Sequence, residues 1–508
     1  MFLHSPGDDS LQARLSYIEC TDMGQAFKLG RYAIHFHMIG AVHKSYAKGL
    51  GLHKSFNRAF TIHGTHYLTL EKNVAHEVMG HTVFIEDAIE TKNQIKENLI
   101  MDTRRSWSLL NTDQSPACFW ITNPHNDFIG NRCGGSDRYA YWYDLQVNAM
   151  GPSANNAICP ENDKVGVFRD NHAHSCGRYG LRIFHNMVPR KFPCKPIEYD
   201  WSEEKKADPW WKNKPITANF ENLTSWKNGR NGAIAERVGD IRFKNFKIAD
   251  NAEAGIEFSM TFDYGDDMAQ IDGALIIGKS KGNSELILDN SSPHGIITPR
   301  SENFSIKNVK FYNFNWLKAA AIGSCSHCFH DAATDSGART VTFSGLKFDD
   351  ATVPRRIIYQ TPYRAIYYDL DGTLTGKGVK SWATPYYLHH EQPGCVWDAA
   401  TIAKWNGVLC DNSVEIRRLA FHQMTPKDRF QNMGLKILRY DDDFVKKQTS
   451  KKEYLEKKDN YATIIFKMKK DPMNGWAVPF VTGHKYKIHW GQTGLDYDQM
   501  TIDPSERW

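Results

Sequence analysis

The chain has 508 residues, more than one ordinary compact core supports, so we expect several domains or one elongated repeat domain. Hydrophobic residues make up 41% and charged residues 24%, proportions typical of a folded soluble protein. The net charge is only +5 and no basic stripe is present, which argues against nucleic-acid binding. No run approaches the roughly 20 apolar residues of a membrane span, so we predict none in this chain.

Short apolar strands separated by Gly or Asn turns dominate residues 1–350. Polar groups recur at the strand ends, with 26 residues from His37 to His63 and 23 from His63 to Glu86. Repeats of roughly 20–50 residues with strands in each unit indicate a solenoid, in which neighbouring coils bury each other's apolar faces. The pattern predicts an all-β fold with a parallel β-helix over residues 1–350. A β-propeller or a sandwich is an alternative, although propeller blades recur more regularly than these intervals.

Two features of the repeat suggest where coils turn and where ligands bind. Long insertions interrupt the pattern at residues 148–165 and 192–215, and such loops often form the binding face of a solenoid. Asn tolerates left-handed backbone and can stack in ladders at coil corners. The Asn residues that fall at predicted turns are Asn73, Asn98, Asn126, Asn131, Asn171, Asn245, Asn251 and Asn308.

The remaining residues, 351–508, are predicted to form a smaller C-terminal β-rich region. Asp369-x-Asp371-Gly-Thr matches the nucleophile motif of haloacid-dehalogenase phosphatases, but the alternating strands and helices of that fold do not follow it. We therefore interpret the motif as an Asp-Gly turn between two strands. Three apolar segments within residues 460–496 predict a β-meander.

Ten cysteines and three Asn-x-Ser/Thr sequons favour an oxidising, extracellular compartment. The sequons begin at Asn222, Asn290 and Asn303. Cys395 with Cys410 is the first candidate for a disulfide and Cys159 with Cys194 the second, although pairing does not follow from sequence alone.

A row of His and carboxylate side chains forms the candidate site. His35, His37, His63, Glu86 and Asp87 follow or end apolar strands that would stack in successive coils. His37, His63, Glu86 and Asp87 are the candidate catalytic groups, because such side chains supply a general acid and base. His35, His37, His63 and Asp87 are the candidate ligands of Zn²⁺, Mn²⁺ or Ca²⁺. The alternative is a purely structural hydrogen-bonded ladder.

Four further residues are candidates for substrate binding. Arg31 and Arg58 precede the His-bearing strands and can neutralise a substrate carboxylate, as in a uronic acid. Asn123 lies at another strand end, and Trp142 belongs to an aromatic group that can serve as a sugar platform. Ordinary ion pairing and core packing are the alternatives for these residues.

Several blocks of this sequence resemble the fibrocystin-L family and, more distantly, the cell-migration-inducing and cell-surface hyaluronidases. They include GRYAIHFHMIG, NRAFTIHGTHYLTLEKN, GHTVFIEDAIE and PACFWITNPHND. The resemblance implies an extracellular, right-handed parallel β-helix within a larger membrane-anchored or secreted protein that also carries an upstream glycine-rich domain. The fibrocystin-L branch implies a surface-coat or cilia-related role. The hyaluronidase branch implies binding and depolymerisation of hyaluronan, with calcium dependence in one member.

Two functions follow as hypotheses. The first is a structural or glycan-binding ectodomain at the cell surface, whose partner is an extracellular glycan or a neighbouring coat protein. The alternative is a hyaluronidase-like enzyme that cleaves a uronic-acid polysaccharide. The cofactor stays open, with calcium or another divalent metal as the candidates.

Overall fold

The first compact unit of the computed structural model is built from coils that each contribute a strand to the same sheet. The structure describes residues 1–4, 12–107, 111–196, 212–261, 269–280, 294–299, 304–316, 319–324, 339–359, 365–384, 394–396, 408–421, 434–439, 463–465, 476–481, 486–491 and 498–502. The strands of this first sheet, each bonded to the next, are β1 Phe2–Leu3, β2 Ile34–Ala41, β3 Phe60–His66, β4 Val83–Ile85, β5 Ala117–Ile121, β6 Tyr139–Asp144, β7 Tyr179–Met187, β8 Asn231–Val238, β9 Ala254–Thr261, β10 His294–Ile297 and β11 Ala320–Gly323.

Two further strands per coil complete the solenoid. The second stack contains the parallel strands Arg14–Ser16, Tyr46–Lys48, Thr69–Glu71, Gln94–Lys96, Asp127–Ile129, Phe168–Arg169 and Ala218–Glu221. The third stack contains Glu19–Thr21, Gly51–Ser55, Val74–Met79, Leu99–Arg104, Arg132–Ser136, His172–Cys176 and Thr224–Trp226. Later coils merge the two into single strands, namely Ile241–Ala249, Gln270–Ile277 and Phe304–Tyr312, with Lys347–Phe348 after them. The predicted parallel β-helix is confirmed.

Buried apolar side chains at matching positions of successive strands define the core of the solenoid. In β2, β3 and β4 the inward side chains Phe36, Ile62 and Ile85 are fully buried and occupy the same register. Because successive residues of a strand point to opposite faces, their neighbours in sequence face outward. The outer face of the first sheet is therefore free to carry polar groups.

Asparagine ladders run through the coil corners, as the sequence predicts. Asn73 Nδ2 donates to Asn98 Oδ1 at 2.9 Å, Asn98 to Asn131 at 2.9 Å, and Asn131 to Asn171 at 3.2 Å. Shorter ladders join Asn93 to Asn126 and Asn228 to Asn251. Asn245 and Asn308 join no such ladder: they lie within the merged strands Ile241–Ala249 and Phe304–Tyr312 with left-handed backbone, and the Asn308 amide donates to Asp272.

The second compact unit is mixed and largely antiparallel. Arg339–Ser344 pairs parallel with Ala365–Asp369, which turns back antiparallel into Ser381–Thr384. The other strands of the unit are Ile357–Ile358, Cys395–Val396, Val408–Asp411, Ile416–Phe421, Gly434–Arg439, Thr463–Ile465, Trp476–Val481, Tyr486–Gly491 and Asp498–Ile502. Across the described residues of both units, short 3₁₀ helices occur at Asn111–Gln114, Gly151–Ser153, Pro160–Asn162 and Val353–Arg355. The domain boundary at residue 350 stays a prediction.

The predicted meander is wrong in its pairing. Its three strands exist, but Trp476–Val481 pairs with Ile416–Phe421, and Tyr486–Gly491 pairs with Gly434–Arg439. The Asp-Gly turn is confirmed: Gly372 has φ +76° between the antiparallel strands, and the buried Asp369 carboxylate accepts the Thr375 N–H at 2.7 Å.

Both predicted disulfides, Cys395–Cys410 and Cys159–Cys194, are present. A third bridge, Cys118–Cys133, was not predicted, and the buried Cys176 thiol lies 3.8 Å from Cys133 Sγ. Among the predicted sequons, Asn222 is exposed, whereas Asn290 and Asn303 lie outside the described residues.

Candidate metal and catalytic site

The outer face of the first sheet gathers the predicted His and carboxylate side chains at its first coils. His37 of β2 lies directly opposite His63 of β3 in the parallel register, and Glu86 follows β4. The His37 and His63 rings are 4.8 Å apart at an interplanar angle of 89°, and the His35 ring is stacked 5.9 Å from that of His63. The coil spacing inferred from the sequence therefore brings these groups together.

A bulge in β2 shapes this end of the sheet. The register with β3 shifts between His37 and Gly40, and Met38 adopts a left-handed φ of +52°. Gly64 faces this bulge with φ +53°, and an added Cβ would lie 2.6 Å from Met38 Sδ and 3.1 Å from its Cα. Bulges commonly redirect side chains next to functional sites. Here the bulge requires glycine at position 64.

Two of the three imidazoles are oriented by a hydrogen bond from one ring nitrogen. His35 Nδ1 lies 3.0 Å from the Gly30 carbonyl oxygen, and His63 Nε2 lies 2.8 Å from Asp87 Oδ2. A neutral imidazole that donates from one nitrogen presents a lone pair on the other. His35 Nε2 and His63 Nδ1 therefore turn lone pairs toward Glu86 Oε2, from which they are 3.9 Å and 3.4 Å away.

Four buried polar atoms of this cluster have no hydrogen-bond partner among the described residues: His35 Nε2, His37 Nδ1, His63 Nδ1 and Glu86 Oε2. The three histidines each offer a nitrogen, and these nitrogens lie within 4.8 Å of one another. Buried polar atoms are costly unless paired, so their convergence fits a bound cation. A nitrogen-rich set with one carboxylate suits Zn²⁺ or Mn²⁺, whereas Ca²⁺ prefers oxygen ligands.

The environment shifts the protonation of each group. Burial lowers the pKa of His35 to about 3, and burial together with the nearby His63 lowers the pKa of His37. Burial also raises the pKa of Glu86, against the opposing attraction of His63 and Arg58. Burial opposes the charged form of His63, but the Asp87 hydrogen bond and neighbouring carboxylates outweigh it and raise the His63 pKa. The cluster thus holds neutral imidazoles beside one protonatable histidine.

An inserted segment, residues 148–163, lies against the cluster; we call it the flap. The Met150 N–H donates to the Asp87 carbonyl oxygen at 2.9 Å, and the Ser153 N–H donates to Asp87 Oδ2 at 3.2 Å. Gly151 has φ +59°, and a Cβ there would collide with the Asp87 carboxylate. Asp87 therefore holds both His63 and the flap. It lies behind His63, while Glu86 Oε2 points into the cluster.

Glu90 and Ser153 contribute to the site but were missed by sequence reasoning. Glu90 is fully buried, and its Oε1 accepts the N–H groups of Gly64 at 2.8 Å and Asp87 at 3.1 Å. Burial raises the pKa of Glu90 to about 7. No sequence signal separates such a buried carboxylate from a surface one, and Ser153 is joined to Asp87 only by the folding of a long insertion.

The four predicted substrate-binding residues do not join the cluster. Arg58 is fully buried and donates to both Asp113 oxygens, at 3.1 Å and 2.8 Å, with its guanidinium 3.5 Å from the Phe84 ring centroid. Asn123 is buried and bonds the Ala88 carbonyl at 2.7 Å. Trp142 packs in a buried aromatic group beside Tyr139. Arg31 is exposed next to the first His-bearing strand.

A second group, His76, Glu77 and Asp102, lies on the outer face of the third stack. Its ligand atoms also lie within 4.8 Å of one another, but the Arg104 guanidinium donates to Asp102 Oδ1 at 3.1 Å. An internal cation therefore already neutralises this group, which makes it a suitable control for the first cluster.

The fold and the cluster define a parallel β-helix protein with a His/carboxylate centre on one sheet. Residues 7–181 match the family model described as the CEMIP beta-helix. Fibrocystin-L from Mus musculus is 33% identical over 436 residues, which cover 84% of this chain. The cell surface hyaluronidase CEMIP2 from Homo sapiens is 26% identical over 481 residues, 78% of this chain and 33% of that protein.

Residues 7–181 therefore carry the CEMIP-type β-helix, and the chain is similar to fibrocystin-L, as its sequence motifs predict. The human cell migration-inducing and hyaluronan-binding protein is 24% identical over 561 residues, 95% of this chain and 38% of that protein. The match spans only 10% of the mouse and human fibrocystin-L proteins. Within the described residues, no helix is long and apolar enough to cross a membrane.

Proposed function

We propose that this chain is the glycan-cleaving β-helix of a cell-surface protein, acting on a uronic-acid polysaccharide with a divalent metal. The observation that carries the proposal is the convergence of three imidazole nitrogens and one carboxylate oxygen that have no hydrogen-bond partner among the described residues. Relatives named as a cell surface hyaluronidase and a hyaluronan-binding protein support the polymer class and the location.

Different residues of the chain have different roles in the proposed cleavage. His35, His37, His63 and Glu86 would hold Zn²⁺ or Mn²⁺, which when bound supplies a polarising charge and an activated water. His63, whose Nε2 bonds Asp87, would present its other ring nitrogen, Nδ1, to the metal. Asp87 orients His63 through Nε2 and bonds the flap through the Ser153 N–H.

The experiment is size analysis of hyaluronan after incubation with metal-depleted chain, to which Zn²⁺, Mn²⁺ or Ca²⁺ is added back. We expect shortening of the polymer with Zn²⁺ or Mn²⁺. His37→Ala and Glu86→Gln should reduce the rate by about 100-fold or more, because each removes a convergent group. His76→Ala serves as the matched control and should leave the rate unchanged.

Metal content measured in parallel gives a second readout. The wild-type chain and the His76→Ala variant should bind one ion tightly, while His37→Ala should lose it. Intact polymer with every metal, from a folded and metal-loaded chain, would refute the enzyme.

A structural or glycan-binding coat module is the second candidate. The higher identity to fibrocystin-L, 33% against 26% for the hyaluronidase relative, favours it. In that case the cluster binds its ion only to stabilise the first coils, and hyaluronan binds without being shortened.

A further inference from the structure

Three arginines occupy the same position in consecutive coils, at the turns that lead into β6, β7 and β8. The Arg178 N–H donates to the Arg138 carbonyl at 2.8 Å, and the Arg230 N–H donates to the Arg178 carbonyl at 2.8 Å. The next coil continues the series with Glu253. The three side chains, here called the arginine ladder, therefore repeat at the strand spacing of about 4.8 Å.

The arginine ladder concentrates positive charge that the chain only partly neutralises. Arg230 Nε lies 3.3 Å from Glu253 Oε1. Within the described part of the chain, neither Arg138 nor Arg178 forms an ion pair, and Arg138 Nε is buried without a hydrogen-bond partner. Burial and the charges of Arg178 and Arg105 lower the pKa of Arg138. Like charges stacked at this spacing repel unless an anion joins them.

Tyrosine hydroxyls of the preceding coils hold the guanidinium groups in place. Arg178 Nη1 donates to the Tyr139 hydroxyl at 3.3 Å, and Arg230 Nη1 donates to the Tyr179 hydroxyl at 3.2 Å. The two tyrosine rings are stacked 5.9 Å apart at 11°. An oriented guanidinium loses little side-chain entropy when it bonds an anion. Arg138 and Arg178 thus form no ion pair within the described residues, and the guanidinium groups of Arg178 and Arg230 are held in position.

We propose that the arginine ladder is a subsite for the acidic groups of a polysaccharide lying along the first sheet. A guanidinium fork matches the geometry of a carboxylate or a sulfate. Alternate rungs are about 10 Å apart, close to the length of one disaccharide in an extended chain. The ladder precedes strands of the same sheet that carries the His cluster, so one polymer can contact both. The polymer class rests on the proposed function.

The test is binding of fluorescent hyaluronan to the full chain in the presence of a metal chelator, so that cleavage does not contribute. We expect Arg138→Gln with Arg178→Gln to weaken binding by about tenfold and to reduce its salt dependence. Arg132→Gln with Arg169→Gln, which removes the same charge from exposed positions on the other stacks, should change binding less than about twofold. Arg178→Lys keeps the charge but not the guanidinium fork, so its affinity for hyaluronan should lie between those of the ladder variant and the control variant.

Chondroitin sulfate and dextran distinguish the anionic groups. If the ladder variant binds hyaluronan more weakly, the arginine ladder recognises the carboxylate. If only its binding of chondroitin sulfate is weakened, the ladder recognises the sulfate. Either result supports an anion subsite. Equal losses in the ladder and control variants, or equal binding of neutral dextran, would overturn the inference. A chain that binds hyaluronan through the arginine ladder but never shortens the polymer would refute only the proposed cleaving activity. Normal cleavage with an unchanged KM in the ladder variant would refute only the ladder.

Discussion

At the scale of single residues, Asp87 is the side chain on which the site depends most. Its carboxylate bonds His63 Nε2 at 2.8 Å and the Ser153 N–H at 3.2 Å. Carboxylates behind a metal-binding histidine orient the ring and increase its basicity. We expect Asp87→Asn to reduce Zn²⁺ affinity by about 10–100-fold, measured by competition with a chromogenic chelator.

Asp102→Asn is the matched control for Asp87→Asn, because this carboxylate lies in the third stack beside Arg104. The Asp102→Asn chain should bind Zn²⁺ as tightly as the wild type. An Asp87→Asn chain with unchanged Zn²⁺ affinity would mean that His63 is not a ligand.

His81 gives the fold a defined sensitivity to acid. Its side chain is fully buried, its Nδ1 accepts the Ala117 N–H at 3.1 Å, and burial lowers its pKa to about 3. Below pH 6.5 the unfolded chain therefore binds a proton that the folded chain does not, so stability falls as pH falls. The slope from this group is about 1.4 kcal/mol per pH unit between pH 6 and 4.

Urea unfolding at several pH values tests the assignment. We expect His81→Gln to lose that part of the slope, while His43→Gln, at an exposed position, keeps the wild-type slope. Parallel slopes for the wild type and His81→Gln would show that His81 titrates normally in the folded chain.

Residue roles were predictable only where coil spacing determines the neighbours. His37 and His63 were placed together because strands of adjacent coils stack in register. Arg58 was not, since its partner Asp113 lies 55 residues further along the chain, on a segment with no repeat signal. The arginine ladder follows the same coil spacing, and the similar segments Asp-Arg-Tyr-Ala, Gly-Arg-Tyr-Gly and Gly-Arg-Asn-Gly around its arginines are a signal that could have found it.

At the scale of elements, the asparagine ladder connects one coil to the next. The Asn98 amide donates to Asn131 Oδ1 and the Leu70 carbonyl, and its oxygen accepts from the Asn73 amide and backbone N–H. Asn98→Ala leaves these buried groups unpaired, so we expect a loss of roughly 2–4 kcal/mol in the free energy of unfolding. Urea denaturation followed by fluorescence measures it.

Asn156→Ala provides the comparison, because Asn156 is exposed on the flap. It should change the free energy by less than about 0.5 kcal/mol. Equal changes in the free energy of unfolding for the two variants would mean that the asparagine ladder does not stabilise the fold and only follows from coil stacking.

Strand pairing was predictable in the solenoid but not in the second unit. A coil of the solenoid can pair only with the coils before and after it. In the second unit no such restriction applies, and Trp476–Val481 pairs with Ile416–Phe421, which is distant in sequence. The Cys118–Cys133 bridge joins two stacks of one coil, a proximity that no spacing rule indicates.

At the scale of the whole molecule, the solenoid should respond to damage locally. Each coil contacts only its neighbours, so destabilisation spreads along the axis and decays. Ile100→Ala empties a fully buried core position and should cost roughly 2–5 kcal/mol. Hydrogen exchange should increase most in Val74–Met79, Leu99–Arg104 and Arg132–Ser136, and least in Ile241–Ala249. Uniform acceleration across all coils would indicate a single cooperative unit instead.

The disulfide between Cys159 and Cys194 spans 35 residues and fastens the flap, which also bonds Asp87 through Ser153. Such a bridge removes conformational freedom from the segment before any ligand arrives. The flap is therefore held in place in the folded chain, and the polysaccharide of the proposed function would not have to order it. If the proposed polysaccharide binds at the cluster, selective reduction of this one bridge should slow its association, while the histidines on β2 and β3 should keep their positions.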